Sequence, residues 1–486
     1  MKNDTIQKSV GWSLFSEIAV KFVVPITNMI LARVLTPDSF GVVAICNMLI
    51  SFVDLISDAG FSKYLVQHDF KNEEKKYQCA NVSFWTNLMI SVVIVWFIGV
   101  FRFQIAELLG HREYGNVILI ASIQLIITSI TSIQIALLRR NFEFKKLFIA
   151  RVSVSIVPLI ITVPLAFILK SFWGLIIGNI SAALMNAIIL TILSKWKPKF
   201  YYKISILKEM FGYSFWSLCE ALANWTIFWI DTFIVGRMFT EYQLGLYKNS
   251  ASMVQSIMGM ISASMSPVLL STLSRLKNSE QEYKKTFLNL QNLILYIVLP
   301  MGVGLFLYRK TATYLLFGNQ WREAANIVGA WGLMMLCSVV FYSLPAELYK
   351  SKGIPQILFL FQILYLIILI PVCMLTAKYS FWLLVYSRCI CVLWQICISI
   401  IFMKRYIKIN IWQYLKTFQR PVVATIFMVF IARVLECFLT GSIGDIIAIV
   451  ICALAYLLFL LFFAKGEIES ILNILKTEKS NEYCEG

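Results

Sequence analysis

The sequence predicts an all-α integral membrane protein of about 14 transmembrane helices. Two related six-helix repeats in parallel orientation account for twelve of them, with two further C-terminal helices. Three observations lead there. Of 486 residues, 59% are hydrophobic and the mean hydropathy is +0.77. Soluble domains run at roughly 45–50% apolar even with glycine counted. Apolar runs long enough to cross a bilayer recur along the chain, and short motifs return at a fixed offset.

A helix needs about 20 mainly apolar residues to span the hydrocarbon core. Such runs fall at 10–35, 40–66, 80–101, 116–138, 148–169, 172–194, 212–236, 246–273, 287–307, 324–348, 354–376, 380–403, 420–439 and 444–464. The first reads as a retained helix, because Glu17 and Lys21 interrupt it and no small-residue cleavage site follows. The span at 116–138 is Ser/Thr-rich, and that at 420–439 carries Arg433. This layout predicts an N-terminal six-helix lobe over 1–200 and an amphipathic cytoplasmic linker over 201–211. A C-terminal six-helix lobe over 212–403 and a basic cytoplasmic linker over 404–419 follow. The two additional helices occupy 420–464, and a cytoplasmic tail covers 465–486.

Loop charge sets the orientation. With the N-terminus inside, only Arg33, Arg102, Arg112, Lys170, Arg237, Arg309, Lys310, Arg322, Lys378 and Arg433 fall outside, of 43 Lys and Arg. Lys21, Lys248 and Arg388 lie within spans, and the inside excess is roughly threefold. Both termini are expected to be cytoplasmic. The net charge of +17 therefore reflects the anionic inner leaflet rather than nucleic acid. The eleven cysteines form no CxxC pair and mostly sit in apolar runs, as small apolar residues do.

The repeat has one register. Trp12-Ser13-Leu14 returns 204 residues on as Trp216-Ser217-Leu218, and Arg33-x-x-Thr36-x-x-x-x-Gly41 returns as Arg237-x-x-Thr240-x-x-x-x-Gly245. Six helices per repeat is even, so the halves are parallel about an axis along the membrane normal. Bundles of this kind hold substrate between the halves and rock about it.

Ionisable groups in a membrane span cost at least about 2.5–3.5 kcal/mol each on insertion scales, so they face cavities or partners. They collect in the first, second, seventh and eighth spans. The first carries Glu17, Lys21 and Asn28; the second Asn47, Ser51, Asp54 and Asp58; the seventh Ser217, Glu220, Asn224 and Asp231; the eighth Lys248, Ser252 and Gln255. At 3.6 residues per turn each set makes one lengthwise stripe. Arg388, Gln395 and Ser399 add a fainter stripe in the twelfth span. Lys21 and Asp54 lie at similar depth, roughly 16–18 Å from the inner ends of their spans, and are expected to pair. Asp231 and Lys248 are expected to pair nearer the outer end. These stripes predict a hydrated cavity; the plainer alternative is helix–helix glue. Trp225 and Trp229 share a face with Asn224 and have the ring surface that sugars stack on, although packing is the commoner use. Pro25, one turn beyond Lys21, is a candidate hinge.

Leu31-Ala32-Arg33-Val34-Leu35-Thr36-Pro37-Asp38-Ser39-Phe40-Gly41 resembles the first external turn of bacterial polysaccharide flippases. Asp58-Ala59-Gly60-Phe61-Ser62 with Leu65-Val66-Gln67 resembles the end of their second helix. The superfamily is that of multidrug, oligosaccharidyl-lipid and polysaccharide exporters, in its O-antigen or teichuronic acid branch. The resemblance implies flipping of a polyprenyl-diphosphate-linked oligosaccharide from the inner to the outer leaflet of the bacterial cytoplasmic membrane. It also implies that the four polar spans line the central cavity. Several relatives have a cationic cavity. Here Lys21, Lys248 and Arg388 are outnumbered by Glu17, Asp54, Asp58, Glu220 and Asp231. Either ion pairs neutralise them, or some carboxylates carry coupling protons or sodium. No cofactor is expected. The expected partners are the lipid-linked oligosaccharide, membrane lipids and glycan polymerase machinery; no oligomeric state is implied. An ion-coupled multidrug antiporter is the alternative within the superfamily, and it typically has twelve helices. A membrane polymerase or glycosyltransferase, the enzyme alternative, requires a large loop or domain with catalytic carboxylates, which these short loops do not supply.

Overall fold

A computed structural model of the protein describes residues 23–463 apart from positions 71, 277, 278, 355 and 440. Among the described residues the regular structure is entirely helical. Among the described residues thirteen helices are long and apolar enough to cross a membrane, and Val23–Val34 is a shorter apolar helix. The protein is thus an all-α, multi-pass membrane protein with about 14 spans.

The helices are α1 (Val23–Val34), α2 (Pro37–Asp58), α3 (Phe61–Gln67), α4 (Glu73–Leu108), α5 (Arg112–Arg140), α6 (Phe144–Leu169), α7 (Trp173–Leu193) and α8 (Ser217–Met238, extended back to Ile204). They continue as α9 (Glu241–Leu276), α10 (Glu280–Leu307), α11 (Arg309–Phe317), α12 (Asn319–Ser351), α13 (Gln356–Ala377), α14 (Phe381–Ile407), α15 (Ile411–Phe438) and α16 (Gly441–Phe463). Short α3 and α11 are not spans.

Local chemistry sets the starts. Pro37 occupies the first turn of α2, where its missing N–H is no loss. Asn72 caps α4 by accepting from Lys75 N at 2.8 Å, with Glu73 and Glu74 in the first turn. Asn410 caps α15 through Trp412 N. Two of the interior prolines sit at π-turns: Pro158 opens one in α6 at Pro158–Thr162, and Pro345 follows one in α12 at Val339–Ser343. A widened turn relieves the clash with the preceding carbonyl. Ile168, Ile192, Ile443 and Phe462 stand exposed, as a lipid-covered surface requires.

One correction concerns a boundary. The expected single span over 40–66 breaks after Asp58, because Ala59 and Gly60 both adopt positive φ, 46° and 79°. α3 restarts at Phe61. The stretch over 201–211 falls largely in the part of α8 that precedes its span, with Ile206 and Met210 buried in one cluster with Phe61, Tyr64 and Leu137.

The described chain divides into two compact units. The first runs to Ser250 and includes Leu369–Val385; the second comprises Ala251–Ile368 and the residues from Tyr386 on. In the second unit, α15 and α16 pack on each other and on α10, around Tyr296, Met428, Ala432, Cys452 and Tyr456. Tyr456 Oη donates to the Tyr296 carbonyl at 2.8 Å.

Within the first unit the repeat has a geometric signature. A Cβ on Gly41 would overlap the Glu241 carbonyl, with Glu241 Cα at 3.1 Å; one on Gly245 would overlap the Pro37 carbonyl, with its carbon at 2.6 Å. Glu241 lies 204 residues beyond Pro37, as Gly245 does beyond Gly41. Each glycine therefore touches the repeat counterpart of the residue its own counterpart touches. That reciprocity is what a two-fold axis imposes. Both glycines serve the close crossing of α2 and α9, where a side chain would hold the backbones apart.

Candidate functional site

The site grows from the break in the second span. Gly60 sits against α8, where a Cβ would meet Ser214 Cβ at 3.0 Å, and Ser214 Oγ donates to the Gly60 carbonyl at 3.2 Å. The open carbonyls at the end of α3 are taken by one guanidinium: Arg140 Nη1 donates to the Leu65, Val66 and His68 oxygens at 2.9, 3.3 and 2.6 Å. Its planar head also lies 4.7 Å from the Phe70 ring.

This break opens a cavity of about 540 Å³ within the first unit. Asp54, Asp58, Lys63, Asn87, Thr128, Ser132, Arg139 and Asn186 are among its walls. Asp54 accepts from Thr128 Oγ1 at 2.7 Å, and Asp58 from Ser62 Oγ at 2.5 Å. Asn87 Nδ2 donates to Ser132 Oγ at 2.6 Å. Lys63 reaches out to Glu220 of α8 at 3.5 Å. Two carboxylates and two basic side chains thus share one chamber among membrane helices; the carboxylates accept from hydroxyls, and Lys63 faces Glu220. Such a lining can exchange protons or cations and can hydrogen-bond an ionic, hydroxyl-rich ligand.

Outside the spans, Glu209 joins α8 to α3 and α4, accepting from Lys75 Nζ at 3.0 Å and from Tyr64 Oη at 3.4 Å. The hydrogen bond from Lys75 is the main reason its carboxyl is held below the usual range.

Of the residues singled out by sequence, Asp54, Asp58 and Glu220 come together here. Glu17 and Lys21 lie outside the described residues, as does the Lys21 end of the expected pairing with Asp54. Pro25 is buried and Asn28 half-buried on α1. Asp231 is buried and accepts from Tyr247 Oη at 2.9 Å and from Thr232 N at 2.6 Å. Lys248 donates to the Phe228 carbonyl at 3.1 Å and lies over the Phe228 and Trp229 rings, at 3.9 and 3.8 Å. Trp225 donates to Ser51 Oγ at 2.9 Å and packs on Phe52; Asn224 is exposed and donates to the Glu220 carbonyl. Trp225 and Trp229 thus carry packing contacts and a cation contact. Gln255 and Arg388 belong to the second unit. Arg388 is buried, with Nη1 2.8 Å from Tyr365 Oη and its head 5.5 Å from the Trp331 ring.

Sequence reasoning missed Lys63, Asn87, Thr128, Ser132 and Arg139. A signal existed: Thr128, Thr131 and Ser132 repeat at helical spacing in the Ser/Thr-rich fourth span, and Thr131 also lines the cavity.

The second unit holds a cavity of different character, about 700 Å³, bounded by Tyr296, Gly304, Met428, Ala432, Ile449 and Tyr456 among others. Its walls are almost wholly apolar, and they come from α9, α10, α11, α15 and α16.

Comparison with known proteins agrees with the resemblance seen in residues 31–67. The polysaccharide biosynthesis protein family matches residues 30–326, more than half of the chain. The chain belongs to this family. It is 24% identical over 338 residues to the succinoglycan biosynthesis transport protein ExoT of Rhizobium meliloti, covering 69% of this chain and 68% of that one. It is 20% identical to the lipopolysaccharide biosynthesis protein WzxC of Escherichia coli, over 68% and 67% of the two chains. The same identity relates it to the teichuronic acid biosynthesis protein TuaB of Bacillus subtilis, over 69% of each. In fold it is similar to the lipid II flippase MurJ in an inward closed conformation, with TM-score 0.79, 16% identity and coverage of 94% and 100%. An inward-facing multidrug MATE transporter gives TM-score 0.61 at 12% identity, over 84% and 95%. Among these proteins ExoT is named a transport protein, and the two solved structures are a flippase and a transporter.

Proposed function

We propose that this protein flips a polyprenyl-diphosphate-linked oligosaccharide from the inner to the outer leaflet for cell-surface polysaccharide export, by alternating access of two lobes. The carrying observation is the pair of unlike cavities. One is lined with carboxylates, amides, hydroxyls and two basic groups; the other is wide and apolar. A lipid-linked glycan needs both chemistries: charge and hydrogen bonds for diphosphate and sugar, and hydrocarbon walls for the polyprenyl tail. The names of its relatives, which concern succinoglycan, lipopolysaccharide and teichuronic acid, support this cargo class. Asp54 and Asp58 are the groups to carry a coupling proton or sodium ion. The membrane is the bacterial cytoplasmic one, both termini face the cytoplasm, and the product passes to glycan polymerase machinery.

The test is a deletion strain complemented by the wild-type chain. Lipid-linked glycan should stay inaccessible to an impermeant outer-face probe in the deletion and become accessible on complementation. A deletion strain that still exposes its lipid-linked glycan refutes the flippase reading. A change in drug resistance without a change in surface glycan would favour the multidrug antiporter reading instead.

A further inference from the structure

Away from both cavities, the turn between α4 and α5 meets the first residue of α9. There His111 Nδ1 lies 3.6 Å from Glu113 Oε1 and 3.6 Å from Glu241 Oε1. Glu241 comes from 130 residues further along the chain. The imidazole is only 8% exposed, yet among the described residues nothing hydrogen-bonds it, and its Nε2 is buried without a partner. A separation of 3.6 Å is too long for an N–H···O bond, which runs at about 2.7–3.2 Å. It is close to the edge of a tetrahedron of donors about an ion at ~2.0–2.1 Å, which is roughly 3.3 Å. One donor atom from each residue falls within 4.8 Å of the other two. Tyr114 Oη donates to Glu241 Oε1 at 3.0 Å, which orients that carboxylate and leaves it a lone pair.

We propose that His111, Glu113 and Glu241 form a binding site for a first-row divalent transition-metal ion of the zinc class, with Tyr114 as a positioning residue. One imidazole with two carboxylates suits Zn²⁺ with an open fourth position, whereas Ca²⁺ and Mg²⁺ favour all-oxygen shells. The ion ties the 110–114 turn to α9 one turn before Gly245 meets Pro37. It therefore braces the α2–α9 crossing at the end that loop charge assigns to the outside. The site stands independently of the proposed cargo.

The test uses the full chain, purified without a polyhistidine tag and with its cysteines alkylated, titrated with Zn²⁺ and with Co²⁺. About one ion per chain is expected, with a visible Co²⁺ band that lacks thiolate charge transfer. His111→Ala should weaken binding by at least ~10-fold and remove the band; Tyr114→Phe should weaken it by ~10–100-fold while leaving all three donors in place. His68→Ala, which removes the other of the two histidines, should bind as the wild type does. Bound Zn²⁺ should raise Tm in the wild type and not in a folded His111→Ala protein. Absence of uptake by the wild type, wild-type affinity in both His111→Ala and Tyr114→Phe, or loss of binding in His68→Ala would each overturn the site.

Discussion

Adding one methyl group at Gly245 tests the helix crossing that relates the repeats. Alanine normally stabilises a helix interior relative to glycine by about 0.5–1 kcal/mol. At Gly245 the new Cβ would sit 2.6 Å from the Pro37 carbonyl carbon and closer still to its oxygen, where ordinary contact begins at 3.4 Å. The obstacle is backbone on both sides, so α2 and α9 must separate by at least the difference, ~0.8 Å, because no side chain can rotate away. Overpacking of this kind costs about 1–3 kcal/mol, which outweighs the helix gain. The same helix supplies the control: a Cβ on Gly259 meets nothing within 4 Å. Gly245→Ala should therefore lower the thermal midpoint in detergent, while Gly259→Ala leaves it unchanged or raises it. The helix gain is common to both, so the two should differ by the overpacking cost, about 1–3 kcal/mol. Followed by tryptophan fluorescence at matched heating rates, a Gly245→Ala protein as stable as the wild type, or less damaged than Gly259→Ala, would refute the close-crossing argument.

Three further outcomes follow from particular contacts. Asp54→Asn keeps an acceptor for Thr128 but removes the charge, so glycan export should fall at least ~10-fold at unchanged protein level if Asp54 carries the coupling ion; export at the wild-type rate would exclude that role. Gly304 lines the apolar cavity, and a Cβ there meets nothing within 4 Å, so Gly304→Leu should fill the space without unfolding the helix and should reduce export of the lipid-linked cargo; undiminished export would remove the cavity from the transport path. Glu209, whose carboxyl is held low chiefly by Lys75, contributes stability that is fully present above its unfolded value of about 4.3 and is lost as pH falls through the lower folded value. Glu209→Gln should accordingly show a shallower loss of Tm on acidification than the wild type, and an identical pH profile would show that the contact is fully screened.

Much of this molecule was legible before folding. Hydropathy over windows of a span's length yields the helix count, because each transmembrane helix must satisfy its backbone internally and present apolar side chains to lipid on its own. The recurrence of Gly41 as Gly245 revealed the repeat, since a close helix crossing tolerates no side chain on either partner. Asp54, Asp58 and Glu220 could be singled out because a charge in a span is costly wherever it points. What remained hidden depended on direction and on distant segments. Ala59 and Gly60 break the second span through backbone angles that hydropathy does not register. Lys63 lay near the end of the expected second span and Arg139 just beyond the fourth, and Thr128 and Ser132 read as ordinary small polar residues, until packing of α2, α3 and α5 turned them into one chamber. Likewise His111 and Glu241 stand 130 residues apart, each unremarkable in its own turn. Composition and periodicity are local sums, so they determine which segments enter the membrane. Which polar side chains face one another is set by helix rotation and crossing, and only the tertiary structure decides it.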